Sequence, residues 1–224
     1  HKLAQEYGVD AWYRGSGEEY RIVDVLQRRT DPLIIPLSFP DAPEVDDPES
    51  ALNATLADLR DWYLAPTSPA QLADAGVSFA ITSDGLSSLN EFLPNLRIAV
   101  ARGLSTRDAL AALTTTPAAL LGLENTHGTI AEGRVANLVV SQGDLFTEEA
   151  AVRDVWVHGQ AYEVTRPPEV DPRGTWAIAS DDEWGFEATL RLEGPLNRLG
   201  GSIDVAGPGG ASIDLASAEV IAET

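Results

Sequence analysis

Two continuous apolar runs constrain this chain more than any other feature: "PLIIPLSF" (32–39) and "VSFAIT" (77–82), each set between segments of helical periodicity. Runs of this kind bury both faces. That is the habit of parallel strands covered by helices, not of a half-exposed antiparallel sheet. "VDAWYRG" (9–15) reads as a third strand. Pro36 inside the middle run argues for a strand end or an irregular strand.

The intervening segments fit. "HKLAQEYG" reads as a helix end stopped by Gly8, and "EEYRIVDVLQRR" places Tyr20, Val23, Leu26 and Gln27 at helical spacing. Residues 40–49 hold three prolines and five carboxylates, which marks a loop. Asp47 followed by Pro48 predicts a helix start, with Leu52, Leu56, Leu59 and Tyr63 on its apolar face. "SPAQLADAG" reads as a helix closed by Gly76. "LNEFLPNLRIAVARG" and "STRDALAALTTTPAALLGL" read as two more, the second opened by a capping box from Ser105 and Asp108. Helices alternating with strands predict part of a larger parallel sheet or barrel.

The character changes near Gly122. "HGTIAEGRVANLVVSQGDLF" and "VRDVWVHGQAYEV" are β-rich and glycine-punctuated, and "TRPPEVDPRG" reads as a linker. Beyond it, "TWAIAS", "GFEATLRLEG", "GGSIDVAG" and "GASIDLASAEVIA" predict four strands of an antiparallel module, with the "GGSIDV" and "GASIDL" strands paired around a glycine-rich turn.

The chain carries 35 acidic against 15 basic residues, a formal net charge of -20, which disfavours nucleic acid and anionic lipid as partners. Lys2 is its only lysine. Such a composition fits a periplasmic, secreted or salt-tolerant protein, and a genome that favours arginine codons explains the lysine shortage equally well. Cysteine is absent, which excludes disulfides and thiolate metal sites. No run reaches the ~18 apolar residues of a membrane span. No leader pattern opens the chain; "HKLAQEYGVDAWY" reads as the tail of a helix running into a strand, so the start of the protein is expected upstream.

The tail "GTIAEGRVANLVVSQGDLF" followed by "VRDVWVHGQAYEV" resembles the C-terminal segment of amidohydrolase-superfamily enzymes, whose pattern is G-x-I-x-x-G-x-x-A-D/N-L-V-V and then V-x-x-V-W-V-x-G. The helix "STRDALAALTTTPAALLGL" and the strand "FAITSDG" resemble the segments that precede it. Together they cover about residues 77–164, and the closest flavour is the imidazolonepropionase-like branch. The resemblance implies an α/β fold. It would be the C-terminal part of a (β/α)8 TIM-type barrel, strands 6–8, plus part of a small β-sandwich, followed by a small antiparallel β module. The expected divisions are 1–121 for the barrel part, 122–165 for the sandwich strands, 166–173 for the linker and 174–224 for the β module.

It further implies a metal-dependent hydrolase of C–N bonds, amide or cyclic amide. Asp84 would be the catalytic carboxylate and a ligand of a divalent metal, zinc first, whose other ligands lie upstream of this chain. A metal lowers the pKa of its water toward ~7, and a carboxylate orients that water and takes its proton. The competing reading makes Asp84 a cap or an Asx-turn with Gly85. Arg14, at the same predicted rim, is a candidate for binding a substrate carboxylate, against a structural ion pair.

The sequence departs from the resemblance at the sixth strand, which commonly ends in a histidine ligand; here it reads "WYRGSGEEY". Ser16 and Glu18 lie in that region. Glu18 and Glu19 otherwise read as a solvated helix start. His127 and His158 read as turn residues, and His1 stands too close to Gly8 for a fifth-strand ligand. Ser83 has no histidine partner for a triad. Trp176, Trp184 and Phe186 offer either a stacking face or the core of the last module. Three strands cannot close a barrel. The fragment alone is therefore expected to hold no metal, to be inactive and to expose an apolar edge, with the remainder of its barrel as partner and a small molecule as substrate. A catalytically degenerate barrel kept as a scaffold is the alternative.

Overall fold

A computed structural model describes residues 6–8, 11–29, 31–165, 171–179, 187–194, 199–206 and 210–218. The chain divides into two compact units, 1–137 and 138–224.

The first unit is mixed α/β, built on a parallel sheet in the order β1 (Tyr13–Arg14), β2 (Leu33–Pro36), β3 (Phe79–Thr82). β2 is the middle strand, and its partners run along the whole of it on one side, from Leu33↔Phe79 to Pro36↔Thr82. On the other side only Leu33 and Ile34 are paired, with Tyr13 and Arg14. Pro36 is thus the last residue of a central strand, beyond the point where β1 stops. A residue without an N–H is tolerated there. Leu33, Ile35, Leu37, Phe79 and Ala80 are buried, together with Leu72, Leu96, Ala99, Leu104 and Ala109 from the helical segments. The helix Ser68–Asp74 ends as predicted: Gly76 takes φ 74°, and Val77 N–H returns to Leu72 C=O.

Three expected helices are broken. Residues 18–29 form a 3-10 turn, Glu19–Arg21, and a one-turn helix, Val23–Leu26, separated by Ile22 at φ -133°. Asp47 caps a helix as predicted, accepting from the Glu49 and Ser50 amides, but that helix stops at Ala51. A second helix, Leu56–Leu64, opens at a reciprocal capping box between Thr55 and Asp58. The expected apolar face is therefore split between two elements; Leu52, Leu56 and Tyr63 are more than half exposed. The third break, at Thr114, separates Thr106–Leu113 from Thr115–Leu120. Pro117 lacks the N–H that a continuous helix would use there.

In the second unit, β4 (Leu138–Gln142), β5 (Ala151–Val157) and β6 (Gln160–Glu163) form an antiparallel sheet. The strands β7 (Gly174–Ala179), β8 (Glu187–Glu193), β9 (Leu199–Val205) and β10 (Ser212–Ala218) form another, an up-and-down meander. The two similar strands read from the sequence do pair: Ile203 faces Ile213, and Ser202 faces Asp214. Trp176, Leu190, Ile203 and Ile213 stand in one row across the sheet, and Thr175, Arg191, Ser202 and Asp214 in an adjacent row of opposite orientation. The meander is therefore amphipathic by alternation. Trp176 closes its indole N–H onto Pro172 C=O at 2.7 Å. Trp184 and Phe186 lie outside the described residues.

Two outcomes follow from this packing. A Cβ at Gly201 would stand 1.8 Å from Arg191 C=O. Gly201→Ala must push β9 from β8, costing about 1–3 kcal/mol, and hydrogen exchange should show protection lost in β7–β10 while β1–β3 is unaffected. The second concerns acid. Hydrogen bonds hold Asp47, Asp58 and Asp61 below the usual carboxylate range, and the Arg173 guanidinium brings Asp171 to about 2. A carboxylate with a lowered folded pKa stabilises above its unfolded pKa and loses that contribution as pH falls through the folded value. Thermal melts of the chain should hold steady from about pH 7 to about pH 5 and drop below about pH 4. The drop should be shallower in high salt, because these groups are exposed.

Candidate functional site at the strand ends

Parallel strands in register bring their C-terminal ends to one rim, the usual place for ligands in α/β sheets. Arg14 is the last residue of β1; Ser38 lies two residues past β2, and Asp84 two past β3. The rim gathers all three. Arg14 Nε forms an ion pair with Asp84 Oδ2, and both side chains are about half exposed (51% and 62%). A side chain placed at Gly85 would meet Ser38 Oγ at 3.1 Å and Arg14 Nη2 at 3.4 Å. Gly85 has φ 87°, so glycine is favoured there on two counts, backbone conformation and space.

The turn that presents Asp84 is made by the backbone and by Thr82. Asp84 N–H donates to Thr82 Oγ1 at 3.2 Å, and Leu86 N–H to Ser83 C=O at 3.2 Å. These bonds leave the carboxylate directed to Arg14. Helix Phe92–Ala101 is tied to the exit of β2 by Asn95 Nδ2, which donates to Leu37 C=O at 2.7 Å.

Sequence reasoning passed over Glu19. It is 4% exposed, not a solvated helix start. Its Oε1 accepts from the Ser16 N–H at 2.5 Å and the Gly17 N–H at 3.0 Å. Glu18 is the solvated one, half exposed and paired with Arg21 at 3.1 Å. The signal was present in "GSGEE": a glycine-flanked turn exposes the Ser16 and Gly17 amides, which an acid close by satisfies. A Cβ on Gly15 would lie 2.3 Å from Glu19 Oε1, so the carboxylate occupies the space a side chain would need.

The described histidines lie in other elements of the chain. His127 is in a turn, its Nδ1 2.8 Å from Thr126 Oγ1, with Arg134 bonded to its carbonyl at 2.9 Å. His158 is the first residue of the two-residue turn joining β5 and β6, at φ 50°. His1 lies outside the described residues. Among the described residues no three His, Cys, Asp or Glu side chains come together as a metal set. With Asp84 engaged by Arg14, the donors among the described residues do not by themselves fit a metal centre.

A parallel sheet with charged groups at its strand ends defines the class: an α/β protein with a rim site. Residues 67–163 match the family model described as the amidohydrolase family. An amidohydrolase from Thermotoga maritima MSB8 superimposes with a TM-score of 0.55 at 27% identity, over 73% of this chain and 39% of that one. A Xaa-Pro dipeptidase with methionine bound in its active site gives 0.53 at 20% identity, over 73% of this chain and 42% of that one. A prolidase complexed with N-methylphosphonate-L-proline gives 0.51 at 19%, over 73% and 47%. The last two bear on fold alone. Comparison with curated proteins found no match. The chain spans roughly two fifths to one half of the solved structures it resembles. Over residues 67–163 the chain is thus similar to the amidohydrolase family.

The close approach at Gly15 gives a direct test. Gly15→Ala should lower the melting temperature of the protein. Adding Glu19→Ala to it should cost less than the two single losses combined, because the second change removes the atom the new methyl strikes. Strict additivity of the two losses would contradict the contact.

Proposed function

We propose that the chain is the C-terminal part, strands 6–8, of a (β/α)8 amidohydrolase that hydrolyses C–N bonds of amides or cyclic amides, with Asp84 as the catalytic base. The observation that carries this reading is the delivery of Asp84 to the strand-end rim opposite Arg14. In the reaction Asp84 takes a proton from the attacking water, the water oxygen adds to the carbonyl carbon, and the C–N bond breaks as Asp84 passes that proton to the leaving nitrogen. Arg14 holds an anionic group of the substrate, such as a carboxylate, by charge-assisted hydrogen bonds. The family is generally metal-dependent; a divalent ion, zinc first, would need donors from sequence upstream of this chain, which would also supply the remainder of the barrel.

The tail motif supports the imidazolonepropionase-like branch, and the strongly acidic surface supports a periplasmic or secreted setting. A second reading, a degenerate barrel serving as a scaffold, is favoured by the same ion pair. A carboxylate already paired with arginine is occupied until a substrate anion draws the guanidinium away.

Steady-state kinetics on the full-length protein separates the two. Asp84→Asn should lower kcat by about 10²-fold or more, with thermal stability retained. Arg14→Ala should chiefly raise KM, for carboxylate-bearing amides more than for neutral ones. An active protein indifferent to Asp84→Asn would refute the catalytic role, and an inactive wild type across amide and cyclic-amide panels would support the scaffold.

A further inference from the structure

Glu19 is the one charged side chain that the fold buries among the described residues, and the chemistry above leaves it without a task. A carboxylate withdrawn from water is costly unless donors surround it. Here the donors are the loop itself. Besides the Ser16 and Gly17 amides, Ser68 Oγ lies 3.5 Å from Oε2 and accepts from the Tyr20 N–H at 3.0 Å. The turn 15–20 is thus wrapped around one carboxylate and pinned to the start of the helix Ser68–Asp74.

That turn also carries Arg14. Gly15 N–H donates to Ile34 C=O at 2.7 Å, extending the strand pairing by one residue, and Gly15 C=O accepts from Arg14 Nη1 at 3.2 Å. The guanidinium therefore has two anchors, the Gly15 carbonyl and Asp84. An arginine side chain has several rotatable bonds and at a half-exposed site would otherwise sample many rotamers.

We propose that Glu19 is a positioning residue: by locking the Gly15–Gly17 turn it presents the Arg14 guanidinium to Asp84 and so sets the binding of the substrate's anionic end. The binding half of this inference rests on the reading of the rim as substrate-facing. Both amides bond to the same carboxylate oxygen, so an amide oxygen can replace it. Glu19→Gln keeps the turn, and Glu19→Ala opens it.

The test uses the full-length protein labelled with 15N-arginine. The Arg14 Nε–Hε resonance is identified by its loss in Arg14→Lys. It should be resolved in the wild type and in Glu19→Gln, and averaged with those of mobile arginines in Glu19→Ala. Gly15→Ala, which displaces the carboxylate without removing it, should average it too and serves if Glu19→Ala does not fold. An unchanged Arg14 resonance in whichever of these two variants folds overturns the proposal. In kinetics with N-acyl amino acids as probe, Glu19→Ala should raise KM by about tenfold with little change in kcat, and should add nothing to Arg14→Ala. Additive effects would overturn the coupling. Absence of turnover in the wild type would count against the proposed hydrolase alone, since the resonance still decides the role of Glu19.

Discussion

The pairing of β2 between β1 and β3 is the constraint from which the rest of the first unit follows. Parallel pairing fixes direction, so all three strands finish on the same side. The register fixes depth: β1 ends at the level of Ile34, and β3 continues to the level of Pro36. Arg14 and Asp84 consequently reach each other from strands that are not neighbours, across the exit of β2 where Ser38 stands. The burial of Leu33, Ile35 and Leu37 holds that arrangement. A one-residue slip of β2 would send its buried side chains to the opposite face.

The ion pair itself contributes little to this stability. Two half-exposed charges in contact are worth about 0–1 kcal/mol and weaken with salt. By contrast, the Glu19 cluster is buried and uses several backbone donors, so removal of its acceptor leaves polar groups unsatisfied. Energy is thus stored beneath the rim, in Glu19, Ser68 and the loop amides, while the exposed pair above is free to exchange partners. A guanidinium that can leave one carboxylate for another at small cost is suited to a binding role.

The place of Asp84 just past a strand end was legible in the sequence, because an apolar run that stops at an acid marks such an end. Arg14 was legible by position, as a charge at the end of a predicted strand. Glu19 was not. Two adjacent acids look alike in one dimension, and only the folding back of Gly15 and Gly17 selects which of them turns inward. The helix covering residues 48–64 was misread for a related reason. Its leucines keep helical spacing through Asn53 and Ala54, but Thr55 and Asp58 cap one another, and a local hydrogen-bonded start overrode the periodicity. The strands of the second unit were legible because alternation and glycine turns are local signals, and their order follows from short connections.

The apolar residues left exposed by that broken helix bear on what the first unit is. Leu52 closes the first capped helix, Leu56 and Tyr63 lie on the second, and each stays more than half exposed. Each fully buried leucine would add about 1.5–3 kcal/mol, so a sequence that keeps such residues outward forgoes stability it could have had. The sheet repeats the pattern at its margins: β1 and β3 are edge strands of a parallel sheet, a kind of sheet that buries its strands on both faces. Both features fit the proposed reading, in which further strands and helices flank this unit, and the matched structures, of which the chain spans about half or less, are consistent with it. On that reading the rim residues lie inside a closed ring of strand ends, where water is scarcer and the proposed exchange between Arg14, Asp84 and an incoming anion would be stronger than at an open edge.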